Sequence, residues 1–187
     1  MALLEKLPDG PCGVIGHSLG GALALKIAAA SDKVTHVLTS STVGTPYDLT
    51  SALDAFWALP ANRAESRSAL EAMMHDPTAV TDGMIEGRWD LLAREGYADY
   101  FGAMFATPRQ RYLDAGIVTD DELAVVGKKK VSLIHGTHDQ PCPAEMTTVK
   151  LGERLPLATV ELVDKCGHNL PREFTERYLN AARDLFG

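Results

Sequence analysis

Residues 16–21 of the chain have the sequence Gly-His-Ser-Leu-Gly-Gly, and this stretch decides the fold. A short apolar run, residues 12–15, comes before it, and an Ala- and Leu-rich segment, residues 22–30, follows it. The first pattern predicts a buried strand and the second a helix, so Ser18 is the centre of a G-x-S-x-G motif at a strand-to-helix turn. This context favours a nucleophilic serine over an ordinary glycine-rich turn.

A turn this sharp makes specific demands on the residues around Ser18. We expect glycine at positions 16 and 20 because a Cβ at Gly16 or Gly20 would collide with the neighbouring strand and helix. The turn also places the backbone N–H of Leu19 at a helix N-terminus beside the serine oxygen. The sequence therefore predicts one backbone donor for an oxyanion.

The composition restricts the class of protein. With 18 Lys and Arg against 25 Asp and Glu in 187 residues, the net charge of −7 argues against nucleic acid or an anionic membrane surface as a partner. The N-terminal residues lack the apolar core of a secretory signal, and no run reaches membrane-spanning length, so a cytoplasmic protein is expected. The cysteines, Cys12, Cys142 and Cys166, have no metal-site spacing and are expected to be reduced.

Strands and helices alternate at both ends of the chain. The predicted strands are 12–16, 34–41, 131–136 and 159–163, and the flanking helices are 19–30, 144–155 and 172–186. Residues 1–8 are expected to end a helix. The middle of the chain has no convincing strand, and it is divided by proline and glycine into the helical stretches 50–59, 63–75, 78–95, 97–105 and 108–115. We therefore expect a core formed by 1–45 and 127–187, with residues 46–126 as an inserted helical lid.

Two of the later strands are followed by polar residues. Thr-His-Asp-Gln-Pro, residues 137–141, follows one, and Asp-Lys-Cys-Gly-His-Asn, residues 164–169, follows the other. Ligands of an open parallel sheet bind beyond the carboxyl ends of its strands. The chain order Ser18, Asp139, His168 thus predicts a nucleophile, a carboxylate that orients an imidazole, and an imidazole that acts as general base and then acid.

Each of these assignments has an alternative. Asp139 could be only a turn residue before a proline, and His168 could be an ordinary loop histidine. Asp164 and Asp48 are rival acids, although Asp164 is too close to His168 along one loop to face it naturally. Cys166 is a rival nucleophile, disfavoured because the turn already carries a serine.

A metal site is a further alternative. His135, His138 and Asp139 are close in sequence and are common metal-ligand types. His135 falls within a predicted strand, and no second carboxylate and histidine cluster completes the set. The sequence therefore predicts no metal site.

The residues at 16–21, the strand end Gly-Thr-His-Asp at 136–139 and Cys-Gly-His at 166–168 resemble the α/β-hydrolase superfamily. More narrowly, the chain is similar to the meta-cleavage-product hydrolases, the carbon–carbon bond hydrolases of aromatic degradation. The narrower resemblance rests on Val-Thr-Asp-Gly-Met-Ile-Glu-Gly-Arg-Trp, residues 80–89, and on Lys-Cys-Gly-His, residues 165–168. It implies an α/β fold with a parallel sheet, flanking helices and an inserted helical lid.

The resemblance also implies a substrate site and a reaction. Arg88 would hold the carboxylate and 2-oxo or 2-hydroxy end of a dienoate, with Trp89 and Asn169 as further substrate-binding positions. Arg88 falls on an apolar helix stripe, where a charge is costly unless paired; a surface arginine or a pair with Glu95 is the alternative. The implied reaction is ketonisation of the dienol and attack on the distal carbonyl by Ser18 or by a water that it activates. The products would be a 2-hydroxypentadienoate and a carboxylic acid, formed without a cofactor.

Two features depart from the family pattern. Asn169 stands where many relatives have a tryptophan after the histidine. Only 17 residues precede Ser18, whereas the superfamily places its first strands and a second oxyanion-donor loop there, so we expect the N-terminal strands to be lacking. The alternatives are a carboxylesterase or lactonase with the same triad, or a catalytically incomplete fragment acting as a binding or structural part. A short sheet would expose a hydrophobic edge, which makes a homo-oligomer a hypothesis.

Overall fold

The computed structural model describes Lys6 and residues 10–187. The prediction of a helix end within residues 1–8 therefore lies outside the described residues, apart from Lys6. Within the described chain, four parallel strands form one sheet in the order β1-β2-β3-β4. They are β1 Cys12–His17, β2 Val34–Ser40, β3 Lys130–Gly136 and β4 Thr159–Val163. The predicted strands are confirmed to within one residue at each end, and the carboxyl ends of all four meet at one edge of the sheet.

Helices connect the strands and continue after the last one. In chain order they are α1 Leu19–Ala29, α2 Ser51–Trp57, α3 Arg63–Glu71, α4 Asp82–Leu92, α5 Tyr97–Met104, α6 Gln110–Gly116, α7 Asp120–Val126, α8 Thr148–Arg154, α9 Leu170–Glu173 and α10 Thr175–Phe186. Two short 3₁₀ turns lie at Pro77–Ala79 and Ala144–Met146. Polar N-cap side chains that accept a backbone N–H begin four of the helices in the middle of the chain, at Thr50, Asn62, Thr81 and Thr119.

Both faces of the sheet are covered. On one face, side chains of α1, α7 and α8, such as Leu25, Val126 and Leu151, pack against strand residues in one buried cluster. On the other face, Leu38 and Ile134 pack against α9 and α10. The parallel sheet between two helical layers confirms the predicted fold class, because a strand buried on both faces needs apolar cover on each.

The helical segment between β2 and β3 contains a helix within or beside each predicted stretch, but these helices are shorter than predicted. The stretch 63–75 is helical only to Glu71, and the stretch 78–95 is helical only over Asp82–Leu92. The prediction also missed a helix at the end of the segment. The sequence predicted no helix over 120–126, yet α7 forms there with a Thr119 and Glu122 capping box. The Glu122 carboxylate lies 3.0 Å from the Lys26 ammonium on α1, and Leu123 and Val126 lie in the sheet core. The boundaries of the predicted lid, 46 and 126, stay predictions.

The outer strands of the sheet, β1 and β4, carry exposed apolar side chains. Ile15 on β1 is 51% exposed, and Val160 and Leu162 on β4 are each 42% exposed. Self-association through these edges stays a prediction. No helix among the described residues is both long enough and apolar enough to cross a membrane.

Candidate active site

Ser18 occupies a strained turn between β1 and α1. Its backbone has φ 55° and ψ −126°, a conformation that L residues rarely adopt. The turn is held on both sides, because Ser18 N donates to Ser40 O at 2.9 Å and Ser18 O accepts from Gly21 N at 2.9 Å. The strain is therefore balanced by hydrogen bonds to the neighbouring strand and to the first turn of the helix.

The glycines around Ser18 have different roles from those predicted. A Cβ at Gly16 would lie 2.2 Å from Gly20 O, so the expectation of a steric need is confirmed there. A Cβ at Gly20 would meet no atom of the described residues within 4 Å outside its chain neighbours and the backbone of its own helix, so the expected collision with a neighbouring strand is wrong at that position. The second close approach is at Gly21, where a Cβ would lie 2.2 Å from Thr42 Oγ1. The tight contact is thus made one residue later, where α1 passes the loop after β2.

The structure brings Ser18, Asp139 and His168 together from three separate segments. His168 Nε2 lies 2.9 Å from Ser18 Oγ, and His168 Nδ1 lies 2.7 Å from Asp139 Oδ2. Asp139 and His168 are each 5% exposed. An ionised carboxylate can only accept, so the shared proton belongs on His168 Nδ1, and the neutral imidazole keeps its Nε2 lone pair for the serine hydroxyl. This arrangement can deprotonate Ser18; the catalytic roles of the three residues stay predictions.

Asp139 is a buried carboxylate with several donors. Its Oδ1 accepts from Cys142 N at 2.7 Å, and its Oδ2 accepts from His168 and from His135 Nε2, the latter at 2.9 Å. Burial by itself would raise the pKa of Asp139, but the charge of His168 and the hydrogen bonds from both histidines lower that pKa to about 2. Asp139 is therefore ionised at neutral pH.

His168 is held through its side chain and its backbone. Burial lowers the pKa of its imidazole, whereas Cys142 and the carboxylate of Asp139 raise it, and the net pKa lies above the ordinary value for histidine. The backbone is fixed as well, because the N–H groups of His168 and Asn169 both donate to Met73 O, at 2.9 and 3.1 Å. Met73 follows α3, so the histidine loop is tied directly to the helical segment.

A cavity of about 280 Å³ opens next to Ser18, between the sheet edge and the helical segment. Its polar lining comes from His17, Ser18, His168 and Asn169. Its remaining lining is apolar and comes from the helical segment, with Leu53, Phe56, Trp57, Leu70, Met73, Met74 and Met84. The lining suits a small molecule with one hydrophobic part and one reacting polar group.

His17 lines this cavity, and sequence reasoning missed it. Its Nδ1 lies 3.0 Å from Ser40 Oγ, and its ring centroid lies 4.9 Å from that of His168. Burial, with a smaller contribution from His168, lowers the pKa of His17 to about 4, so the ring is neutral at neutral pH. Its position directly before the serine of the motif is the signal that could have identified it.

The three predicted substrate-binding residues lie in different places. Asn169 lines the cavity, but neither Arg88 nor Trp89 is among its lining residues. The Arg88 guanidinium lies 4.3 Å above the ring of Phe56 and donates from Nη2 to Phe56 O at 2.9 Å, while its Nε is buried without a partner among the described residues. Arg88 therefore reaches the cavity only through Phe56, and the substrate-binding role of each residue stays a prediction.

Comparison with known proteins agrees with this geometry. The model of the Alpha/beta hydrolase family matches residues 1–181. The chain belongs to this family. It is 27% identical over 184 residues to a 2-hydroxy-6-oxo-2,4-heptadienoate hydrolase of Pseudomonas putida strain F1, covering 98% of this chain and 66% of that protein. It is 28% identical over 186 residues to a 2-hydroxymuconate semialdehyde hydrolase of Pseudomonas sp. strain CF600, covering 99% and 65%.

Solved structures show the same likeness. The acetate-bound meta-cleavage product hydrolase CumD of Pseudomonas fluorescens IP01 superposes with a TM-score of 0.91 at 28% identity, covering 98% of this chain and 67% of that one. The resemblance of this α/β hydrolase-family chain to the meta-cleavage-product hydrolases is therefore confirmed. The chain spans about two thirds of the length of the curated relatives that it matches.

The rival acids and the rival nucleophile of this α/β hydrolase-family chain are less suited to these roles than Asp139 and Ser18. Asp48 and Asp164 are both exposed, and Asp164 accepts a hydrogen bond from Thr137 Oγ1 at 3.4 Å. Burial raises the pKa of the Cys166 thiol to about 12, so it is protonated at neutral pH and a poor nucleophile. The three cysteines are free thiols.

The side chains that could hold a metal differ from those weighed from sequence. The exposed His138 pairs with the ring of His75, with centroids 4.3 Å apart. Within the described residues, ligand atoms of Asp139, Cys142 and His168 lie within 4.8 Å of one another. The carboxylate and imidazole of that group are already joined by the short hydrogen bond that orients His168 toward Ser18.

Proposed function

We propose that this protein is a serine hydrolase that cleaves a carbon–carbon bond in a 2-hydroxy-6-oxo-2,4-dienoate, the meta-cleavage type of product. The observation that carries the proposal is the hydrogen-bonded line from Ser18 Oγ through His168 to Asp139, beside an apolar cavity. Support comes from two relatives, 27% and 28% identical, that are named as hydrolases of such compounds.

In the proposed reaction, ketonisation of the dienol first gives a vinylogous 1,5-diketone. Ser18, or a water that it helps to activate, then attacks the distal carbonyl while His168 Nε2 takes the proton. The Leu19 N–H, at the start of α1, is proposed to donate to the oxyanion. When the carbon–carbon bond breaks, its electron pair goes to the dienoate fragment, which takes up a proton and leaves as a 2-hydroxypentadienoate. The hydroxyl group of a water molecule ends on the acyl fragment, which leaves as the carboxylic acid.

The cavity divides the substrate between two surfaces. We assign the apolar part of the substrate to the lining from the helical segment, which we propose acts as a lid. The carboxylate end is assigned to Arg88, with Trp89 and Asn169. Arg88 could reach it by exchanging its contact with Phe56 O for a charged carboxylate, which a guanidinium binds more strongly than a neutral carbonyl.

A carboxylesterase or lactonase with the same three residues is the second candidate. The cavity lining favours it, because the polar side chains described there are neutral or belong to the triad, and Arg88 contacts a backbone carbonyl of the wall. A neutral ester would need no cationic partner. We also propose that the protein is cytoplasmic and that it forms a homo-oligomer. Light scattering tests the second proposal, because the molar mass of a monomer would exclude a homo-oligomer.

The first experiment asks whether the triad is assembled. We expect stoichiometric labelling of the intact protein by a fluorophosphonate, measured by mass spectrometry, and no labelling of Ser18→Ala. Failure of the unaltered chain to react would contradict the proposed hydrolase activity of this chain.

The second experiment separates the two candidates. Arg88→Ala should greatly reduce turnover of an anionic 2-hydroxy-6-oxo-dienoate while sparing a neutral p-nitrophenyl ester. The matched control is Arg94→Ala, an exposed arginine two residues beyond α4 that should leave both rates unchanged. Hydrolysis of esters alone by the parent protein would favour the second candidate. Equal loss on both substrates would mean that Arg88 supports the cavity wall through Phe56 and does not bind the carboxylate.

A further inference from the structure

Behind the triad lies a second buried histidine that the proposed reaction does not use. His135, near the end of β3, is 0% exposed. Its Nε2 lies 2.9 Å from Asp139 Oδ2 and 2.8 Å from Cys142 O, and its Nδ1 lies 2.6 Å from Thr148 Oγ1. Both ring nitrogens therefore have hydrogen-bond partners: Nε2 contacts the carboxylate of Asp139, and Nδ1 contacts Thr148, the first residue of α8.

The partners determine where the proton of His135 lies. A carboxylate oxygen and a backbone carbonyl can only accept, so the hydrogen must be on Nε2, from which it is shared between Asp139 and Cys142 O. A hydroxyl can donate, so Thr148 Oγ1–H satisfies the lone pair on Nδ1. A neutral imidazole thus meets all three contacts, and moving its proton to Nδ1 would leave a lone pair facing two acceptors in a buried site.

Asp139 Oδ2 consequently accepts from two imidazoles, His168 on the side of Ser18 and His135 on the side of the core. We propose that His135 and Thr148 are positioning residues of the hydrolase. His135 holds Asp139 Oδ2 in line with His168 and takes up part of its negative charge, and Thr148 fixes the tautomer in which His135 can do so. This inference rests on the proposed function, since it assumes that Asp139 and His168 serve Ser18.

A purely structural role explains this arrangement less well. A leucine or valine would fill a strand position of this kind at lower cost, because a buried imidazole needs partners for both nitrogens. Here both partners are present, and one of them is the carboxylate on which His168 depends. Removing the Nε2–H would leave Asp139 with less compensation of its charge, which would strengthen its attraction for the His168 imidazolium and raise the pKa of His168.

Several other ionisable groups face Asp139 or His168, and none of them replaces His135. They are His17, Tyr47, Cys142 and Cys166. Burial raises the pKa of Tyr47 and of Cys166 and lowers that of His17, so these three side chains are uncharged near neutral pH. Cys142 also raises the pKa of His168, but it is present in every variant compared. A change of charge compensation after substitution at position 135 can therefore be measured as a difference in the pKa of His168 between variants.

The test uses the full chain labelled with nitrogen-15 histidine, and NMR reads the tautomer of His135 and the titration of His168. We expect His135 to stay in the Nε2–H form while His168 titrates. His135→Leu, which removes the donor, should raise the pKa of His168 by about one unit, and His135→Gln, whose amide can still donate, should keep the unaltered value. In Thr148→Val the proton of His135 should no longer be fixed on Nε2, whereas in Thr148→Ser it should stay on Nε2.

The same variants are then titrated against a fluorophosphonate. In a plot of labelling rate against pH, the midpoint of the acid limb should move to higher pH in His135→Leu and should stay unchanged in His135→Gln. An Nδ1–H or cationic His135 in the parent protein would overturn the inference, and so would an equal His168 titration in the two His135 variants. If His135→Leu does not fold, the pair Thr148→Val and Thr148→Ser decides, since serine keeps the hydroxyl that contacts His135 Nδ1 and valine lacks it.

These readouts require no natural substrate. If dienoates are not hydrolysed but the His168 titration shifts as expected, the inference stands and the proposed substrate is wrong. If dienoates are hydrolysed and the titration does not respond, the substrate stands and the role of His135 is wrong.

Discussion

The two walls of the cavity are built differently. The sheet-edge wall contains Ser18 and His168, with Asp139 buried behind them. Hydrogen bonds of 2.7 to 2.9 Å join the three residues, and their positions depend on the ends of three strands. The opposite wall comes from the helical segment that we propose acts as a lid, and we call it the lid wall. It contains Phe56, Met84 and their neighbours, and it contacts the cavity through apolar atoms, several of them on flexible methionines. Substitutions in the first wall should therefore change reaction rate, and those in the second should change which molecules bind.

Asp139→Asn gives the largest expected effect and tests the first half of this comparison. The amide cannot fix the His168 tautomer or stabilise its charged form, so fluorophosphonate labelling should slow by about 10⁴-fold, the loss in kcat known for this substitution in a Ser-His-Asp protease. Asp164→Asn is the control, because this exposed acid follows the neighbouring strand. Equal rates for the two variants would mean that Asp139 does not serve His168.

The pH dependence of labelling should follow His168. Because Asp139 and Cys142 raise the pKa of this imidazole, its base form is lost at a higher pH than for a free histidine. Labelling should rise with pH, by about tenfold per unit along the acid limb, with a midpoint above about 6.5. The exposed His138→Gln should leave the profile unchanged. A midpoint below the ordinary histidine value would contradict the electrostatics of the site.

Met84→Ala tests the lid wall. Removing this part of the cavity lining should raise KM for an apolar substrate about tenfold with little change in kcat, because apolar contacts are made equally in the ground and transition states. Met104, at the end of α5 and 39% exposed, supplies the control Met104→Ala. A loss of kcat instead of KM would show that the lid wall takes part in the chemistry and would remove the distinction between the walls.

Glu173→Gln has the smallest expected effect and tests the connection between the walls. Glu173 Oε1 accepts from Gly167 N at 3.0 Å, beside His168, and Oε2 accepts from His75 N at 2.8 Å, in the loop after α3. An amide can replace only one of these acceptors, so the free energy of unfolding should fall by about 1 kcal/mol. Urea denaturation measures this change. The exposed Glu176→Gln should leave it unchanged. No difference between them would mean that this bridge does not join the two walls.

Much of the fold could be predicted because its determinants are local. The apolar runs of β2 and β3 are short, β-branched and bounded by turn residues, and their limits were predicted to within one residue. The order of Ser18, Asp139 and His168 relative to the strand ends indicated which side chains would meet, because parallel strands end at a common edge. The proximity of the three residues, though not their hydrogen-bond geometry, could be predicted once the sheet topology was predicted correctly.

Other features depend on contacts between distant segments, and no local pattern encodes them. His135 looked like an ordinary strand residue until Thr148 and Asp139 were seen on its two nitrogens. Gly21, and not Gly20, proved to be the crowded position, because the crowding comes from Thr42 across the turn. The apolar stripe around Arg88 could not show that its guanidinium contacts the carbonyl of Phe56.

The sequence by itself determined the strands, the turn at Ser18 and the residues that could form a triad, because hydrophobic periodicity, turn chemistry and chain order act within a few residues or along a known topology. Only the tertiary structure decided which lone pair meets which proton and which side chain lines the cavity. Hydrogen bonds and packing contacts depend on distances of a few ångströms in space. Residues that make such contacts can be far apart in the chain, as Ser18 and His168 are, and their separation in sequence does not give their distance in space.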